Sequence, residues 1–423
     1  MIKNVLVTIL VLVTSMSIVS CNSNEQAKDT LRYSTISMPK PKISSIESQI
    51  IESTIVDFPK AESMDTAVDG SGHLYILALN GKDALVSKST DGGITFSDGV
   101  KANLNISAGS GPIDRPTIAL GSQGVVGVAW KEPLGQYGRI WYSSSENGGG
   151  HFGPAVRVDE RIATPSTHRL VRLAMLGDNN PIVTWTEDIH LRVTRSYDGG
   201  KTFATSRSMD RAFTSCTNPD ILSVGGENVL VAYRNLEEMD GIDNPVRDIV
   251  VMSSKDARRF LEHARAPDKH WPVETCPESG ASLAYDHGNI FVTWMDARFS
   301  PTALKQTDVW FASSFNINDG FSENIRVNTT DARHNHPSMT IGPDKQINIV
   351  WEARESDMAV IYYSFSDDNG KSFSTPKIVV SSNDGSKRGT PGYPSITADT
   401  SGNIHVAWLD NLGGHIATWQ NPK

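Results

Sequence analysis

Acids and amides recur at one place along this sequence. Two residues beyond an aromatic that closes a short apolar run stand Glu132, Glu187, Asn235, Asp296 and Asp410. Arginines follow closely in Asp296-Ala297-Arg298 and Glu352-Ala353-Arg354. A second polar set precedes other apolar runs: Asp114-Arg115, His168-Arg169, Arg333-His334-Asn335-His336 and Tyr393. Two carboxylates can share acid and base work at a glycosidic bond, standing about 5 Å apart for retention and roughly 6.5–9.5 Å apart for inversion. Guanidinium forks bind carboxylates bidentately, so the combination suits a glycan or acidic-sugar site. Asp296, Glu352 and Tyr393 are therefore the candidate catalytic residues. Arg115, Glu132, Arg169, Arg298, His336 and Arg354 are the candidate ligand contacts.

The histidines open a second chemistry. His168, His334 or His336, or Tyr393, can take the proton α to a uronate carboxylate while Arg333 neutralises that carboxylate, as a polysaccharide lyase requires. A third reading is ligand binding without catalysis. Recurrence in most repeats also fits plain architecture, with acids and arginines paired at strand ends. His334-x-His336 supplies two metal ligands, which do not make a site. Neither metal nor cofactor is expected.

Whatever these residues do, repeated elements must position them. The octapeptide Ser366-Asp367-Asp368-Asn369-Gly370-Lys371-Ser372-Phe373 reads S-x-D-x-G-x-x-F, and the pattern recurs around Asp91 and Asp198. Asn147 replaces Asp in a fourth copy; decayed copies surround Asp256 and Asn316. A spacing of roughly 50–60 residues signals an array of similar units. Each octapeptide reads as a tight turn. Its Asp or Asn bonds backbone N–H groups, its Gly takes positive φ, and its Phe folds back as an apolar plug.

Between these turns, two apolar runs with period-two alternation mark strands. Pro337-Ser-Met-Thr-Ile341 followed by Ile347-Asn-Ile-Val-Trp351 is one pair. Seven such pairs occur against six octapeptides. Lys255 to Arg265 is the one stretch with helical character. The last unit is a strand short, and Ile46 to Val56 has nothing to pair with. A closed β-propeller resolves both, because the N-terminal strand completes the last sheet and removes its open edge. The expectation is an all-β, seven-bladed propeller spanning residues 46–423, with six blades as the alternative.

The 423 residues carry a net charge of -9 without a basic run, which argues against a nucleic-acid partner. The expected partner is a glycan or other small polar ligand, and the chain is expected to be monomeric. Lys3, the apolar run Val5 to Val13, and Ile18-Val19-Ser20-Cys21 resemble a bacterial lipoprotein signal. That resemblance implies a signal peptide over residues 1–20, lipidation of Cys21, a tether over 21–45, and export to the cell envelope, at the outer membrane or cell surface. Cys216 and Cys276 then remain as a pair for a disulfide in an oxidising compartment.

The recurrent turns at Asp91, Asn147, Asp198, Asp256, Asn316 and Asp368 resemble the Asp boxes, or BNR repeats, of the sialidase superfamily. The resemblance covers about residue 46 to the end. It implies a sialidase-like propeller that recognises, and in its catalytic members hydrolyses, glycans. It also implies that the boxes join the third and fourth strands of each blade, on the face away from the site. Retaining sialidases hold a carboxylate with three arginines, the first in an Arg-Ile-Pro motif before the first box. The segment from Ile46 to Ser89 contains no arginine, and Arg115-Pro116 is the nearest echo.

Overall fold

A computed structural model describes residues 50–420, except 110, 136, 160–166, 214–218, 276, 300–305, 384–388 and the side chains of 210–213. Seven four-stranded antiparallel sheets follow one another along the chain. Their innermost strands are Ser63–Val68, Thr117–Leu120, His168–Met175, Asp220–Ser223, Ser282–Asp286, Arg333–Ile341 and Gly392–Ala398, numbered here as blades 1 to 7. Each innermost strand contacts its neighbours in the preceding and following blades, and blade 7 contacts blade 1. The chain is a seven-bladed β-propeller.

Closure uses the N-terminal strand, as expected, but at a different place. The strand is Thr54–Pro59 rather than Ile46 to Val56, and it pairs antiparallel with Gly413–Gln420 to complete blade 7. Ile50 instead bridges Ile378 in blade 6, running parallel to it. The expected helix at Lys255 to Arg265 is absent. A turn there leads into the outermost strand Glu262–Arg265, because the decayed octapeptide around Asp256 uses those residues. Asp256 Oδ1 accepts from the N–H groups of Arg258 and Arg259 at 3.0 and 2.8 Å.

The octapeptides join third to outermost strands. In the first, Ser89 Oγ accepts from Gly93 N at 2.9 Å and Asp91 Oδ1 accepts from Thr95 N at 2.9 Å, so side chains cap a turn with no ladder partners. The glycine is required twice over. Gly200 has φ +90°, and a Cβ there would run into the Tyr142 ring of the preceding blade. Phe203 and Phe373 pack edge-on against Tyr142 and Phe311, also one blade back.

The apolar core lies between blades. Ile347, Ile349, Trp351 and Ala353 pack toward blade 5, whereas Val350 packs toward blade 7. Alternation along a strand thus decides which neighbour a side chain meets. The same rule separates the candidate acids.

Candidate functional site

One register position lines the propeller axis. It carries Asp65, Thr117, Arg172, Asp220, Ser282, Ser338 and Ser395 in blades 1 to 7, each opposite an equivalent residue of its second strand. Most of these residues bond to the next blade. Asp65, Asp220, Ser282 and Ser338 accept from the backbone N–H of Ile118, Leu283, Met339 and Ile396 at 3.0, 2.7, 3.1 and 3.2 Å. Ser395 and Thr66 hydroxyls stand 3.2 Å apart, linking blade 7 back to blade 1. Thr117 and Arg172 make no such bond among the described residues, and a guanidinium has no acceptor to offer. These residues surround a cavity of about 270 Å³, which Arg115, His336 and Tyr393 also line.

Two residues before this position, blades 3, 6 and 7 carry a bulge. The ladder register shifts between Arg169 and Arg172, Asn335 and Ser338, and Gly392 and Ser395. Leu170, His336 and Tyr393 take φ of 60°, 49° and 54°, a left-handed region that costs a non-glycine residue of order 1–3 kcal/mol. Each bulge is held by an acceptor from an earlier part of the chain. Leu170 N donates to Asp114 Oδ1 at 2.8 Å, His336 N to Ser279 Oγ at 2.9 Å, and Tyr393 N to Glu352 Oε2 at 2.7 Å. Bulges of this kind re-aim side chains and cluster beside active sites. Here they turn His336 and Tyr393 into the funnel.

His336, Glu352 and Tyr393 form one cluster. His336 Nδ1 stands 3.1 Å from Glu352 Oε1, and the imidazole and phenol rings lie 4.5 Å apart between centroids. Both His336 ring nitrogens are buried and neither makes a well-aligned hydrogen bond among the described residues, so Nδ1 meets Glu352 as an ion-pair contact and Nε2 has no partner. Burial alone would raise the Glu352 carboxyl, but His336, the Tyr393 N–H and Arg354 outweigh it and hold the group below the usual glutamate value. Glu352 is therefore an anion at neutral pH. Burial raises the Tyr393 phenol, and Glu352 and Glu278 raise it further against the opposing pull of Arg354 and Arg333. Tyr393 therefore keeps its proton. Arg333 and Arg354 are exposed and face each other across the ladder. Like charges so placed repel, and neither has a carboxylate within 4 Å among the described residues.

The other candidates lie elsewhere. Asp296, expected to be catalytic, is 1% exposed and fully engaged. Its carboxylate takes the Trp294 indole N–H at 2.9 Å and two Arg298 donors at 2.9 and 2.7 Å. Arg298, expected to meet a ligand, also stacks on Trp310 at 4.3 Å and reaches Asn324 at 2.8 Å. Glu132 accepts from Trp141 Nε1 at 2.9 Å and lies 3.6 Å from Arg139. Glu187 meets Arg192 at 3.1 Å, and Asp410 meets His415 at 2.9 Å. Glu352 differs because it stands one residue past its tryptophan, not two. Alternation turns it toward the next blade while the recurrent acids stay with their own aromatic.

Arg115 lines the cavity and stands 3.6 Å from Asp65. Arg169 is exposed at the start of its strand, and Arg354 is exposed beside Glu352. His168 is buried and stacked on Trp185. His334 is also buried; its Nδ1 takes the Trp351 indole N–H at 3.0 Å, and its Nε2 is 3.1 Å from the Thr330 carbonyl. It cannot share a metal with His336, and among the described residues no three metal-ligating side chains gather. Cys21, Cys216 and Cys276 lie outside the described residues.

Sequence reasoning missed Asp65, Arg172 and Asp220. Their signal was available: each stands in an innermost strand at the position that carries Ser or Thr in the other blades.

No family model and no curated protein sequence matches the chain. Solved structures match in fold. An ulvan lyase, described as a new family of polysaccharide lyase, superposes with a TM-score of 0.54 at 12% identity, covering 88% of this chain and 95% of that one. An ulvan lyase bound to -[GlcA(1-4)Rha3S]- gives 0.52 at 12% identity, over 85% and 95%. A further polysaccharide lyase gives 0.50 at 8% identity, over 90% and 94%. At these identities the chain is similar to them in its propeller fold.

Proposed function

We propose that this propeller binds an acidic polysaccharide across its funnel and cleaves it by β-elimination at a uronate. The observation that carries this reading is the His336–Glu352 pair beside the protonated Tyr393 phenol, with Arg333 and Arg354, which have no carboxylate partner among the described residues, at the rim. The guanidinia hold the uronate carboxylate and stabilise charge developing on it. His336 Nε2, oriented through Nδ1 by Glu352, takes the C5 proton. The freed electron pair becomes the C4–C5 double bond as the C4–O4 bond breaks. The leaving O4 keeps its bond pair and takes the Tyr393 proton. No water is consumed.

Hydrolysis of the kind the sequence resemblance implies has less support. Asp296 and the recurrent acids are tied to arginine, indole or imidazole partners, which leaves the exposed Glu278, whose charge acts on Tyr393, as the carboxylate that would have to serve beside Glu352. The fold is shared with polysaccharide lyases, which agrees with elimination. The test is incubation with a panel of uronate-containing and neutral polysaccharides. Ultraviolet absorbance from 4,5-unsaturated ends, lost by about 10²–10⁴-fold in His336→Asn and Tyr393→Phe, is expected. New reducing ends without that absorbance would establish hydrolysis instead. No product from any polymer would leave a binding propeller.

We also propose that Cys21 is lipidated and tethers the propeller to the cell envelope, on the strength of the signal-like segment before it. A fatty-acid probe should label the protein and fail to label Cys21→Ala.

A further inference from the structure

Arg172 occupies the position at the propeller axis where most other blades place a group that bonds to the next blade. Only one of its N–H donors meets a protein acceptor among the described residues, the Val171 carbonyl at 2.8 Å. No carboxylate lies within ion-pair distance of it among the described residues. The two acids sharing its ring have partners of their own: Asp65 takes Ile118 N at 3.0 Å and stands 3.6 Å from Arg115, and Asp220 takes Leu283 N and Ile221 N at 2.7 and 3.0 Å. Arg115 enters the same cavity from the loop before blade 2, and its Nε is buried with no partner. A buried guanidinium kept charged without a counter-ion is costly, and a planar fork is suited to an oxyanion.

We propose that the axial cavity beneath the funnel is an oxyanion site, built by Arg172 with Arg115 and the hydroxyls of Ser282, Ser338 and Ser395, for a carboxylate or sulfate group. Burial, and then the neighbouring Arg115, pull the Arg172 guanidinium down to about 10, against the opposing pull of Asp65, Asp220 and Asp114. Burial also raises the Asp220 carboxyl, against the opposing pull of Arg172 and of the Leu283 and Ile221 N–H groups. At about 270 Å³ the cavity is small for a ligand site, since such sites start near 300 Å³. It accommodates one acidic substituent or one free ion rather than a length of polymer. If the occupant belongs to the glycan, the substrate carries a second acidic group besides the uronate held at Arg333 and Arg354. That extension rests on the elimination reading; the oxyanion site itself does not.

The test is calorimetry and thermal shift on the full chain, with sodium sulfate and sodium glucuronate against sodium chloride at constant ionic strength. Saturable stabilisation by the oxyanions over chloride is expected. Arg172→Gln should weaken it at least tenfold, and Arg172→Lys, which keeps a charge but loses the fork, severalfold. Stabilisation no greater than that of chloride, or binding unchanged in both Arg172 variants, would overturn the proposal. An acidic oligosaccharide that displaces sulfate identifies the occupant as a glycan substituent, and one that binds alongside identifies a free ion; either outcome supports the site. Sulfate binding that persists in a chain with no lyase activity would sink the elimination reading and leave the oxyanion site standing.

Discussion

His336 Nδ1 and Glu352 Oε1 meet at 3.1 Å, while the other oxygen of the same carboxylate holds Tyr393 N at 2.7 Å. One side chain thus orients an imidazole in blade 6 and fixes the bulge that presents a phenol in blade 7. Glu352 is 8% exposed, and in the proposed elimination it positions the other two side chains rather than carrying a proton. Glu352→Gln should lower kcat on a cleaved uronate polymer by about 10- to 100-fold with little change in KM, because it removes an orienting anion and not a substrate contact. Glu352→Asp should recover part of the loss. Equal activity in wild type and Glu352→Gln, measured by unsaturated-product absorbance, would show that His336 needs no such partner.

Asp296 and Arg298 make the opposite case. Their side chains are 1% and 2% exposed and joined at 2.7 Å. Asp296→Asn leaves Arg298 buried with its main counter-ion neutralised, a change that costs about 3–5 kcal/mol. Denaturant unfolding should show a loss of that size. Folded Asp296→Asn protein should keep the wild-type rate per molecule. A folded, stable but inactive variant would restore Asp296 to the reaction.

Ring closure rests on six residues. The register from Thr54↔Thr418 to Pro59↔Gly413 makes Thr54–Pro59 the outermost strand of blade 7. A chain starting at residue 50 should melt as the longer protein does. One starting at residue 61 exposes the edge of Gly413–Gln420 and should melt at least about 10 °C lower or aggregate. Unchanged melting of the shorter chain would show that blade 7 is stable with three strands.

Acid should act on the turns. Hydrogen bonds, first from the Thr95 hydroxyl, lower Asp91 to about 2; the Thr202 and Ser372 hydroxyls lead in doing the same to Asp198 and Asp368. These folded-state values lie below the ordinary 3.8 of an unfolded aspartate. Their stabilising contribution is therefore fully present above about pH 4 and is lost as pH falls through about 2. Melting temperature should drop across that window, and Asp198→Asn should flatten part of the drop, as Asn147 already occupies the same place in its own turn. A variant with the same acid profile as wild type would remove Asp198 from the explanation.

Much of the fold was legible in the residues. The S-x-D-x-G-x-x-F turns and the aromatic-ended strand pairs carry their information locally, in hydrogen bonds and alternation within about ten residues. Counting them yields seven blades, and the unpaired N-terminal stretch yields closure, although its boundary moved from Ile46–Val56 to Thr54–Pro59. The site was legible only in part. His336, Glu352 and Tyr393 were all singled out in the sequence, and so was Asp296, because a strand's inventory does not say which acids are already satisfied. Phase along the strand separates Asp296 from Glu352 by a single residue, and partners such as Arg298 decide the rest. The left-handed bulges at His336 and Tyr393 depend on acceptors 57 and 41 residues away. Arg172 stands out as unpaired only once seven blades bring Asp65 and Asp220 into its ring. Local chemistry wrote the blades; their closure into a circle determined which side chains face the funnel without a partner among the described residues.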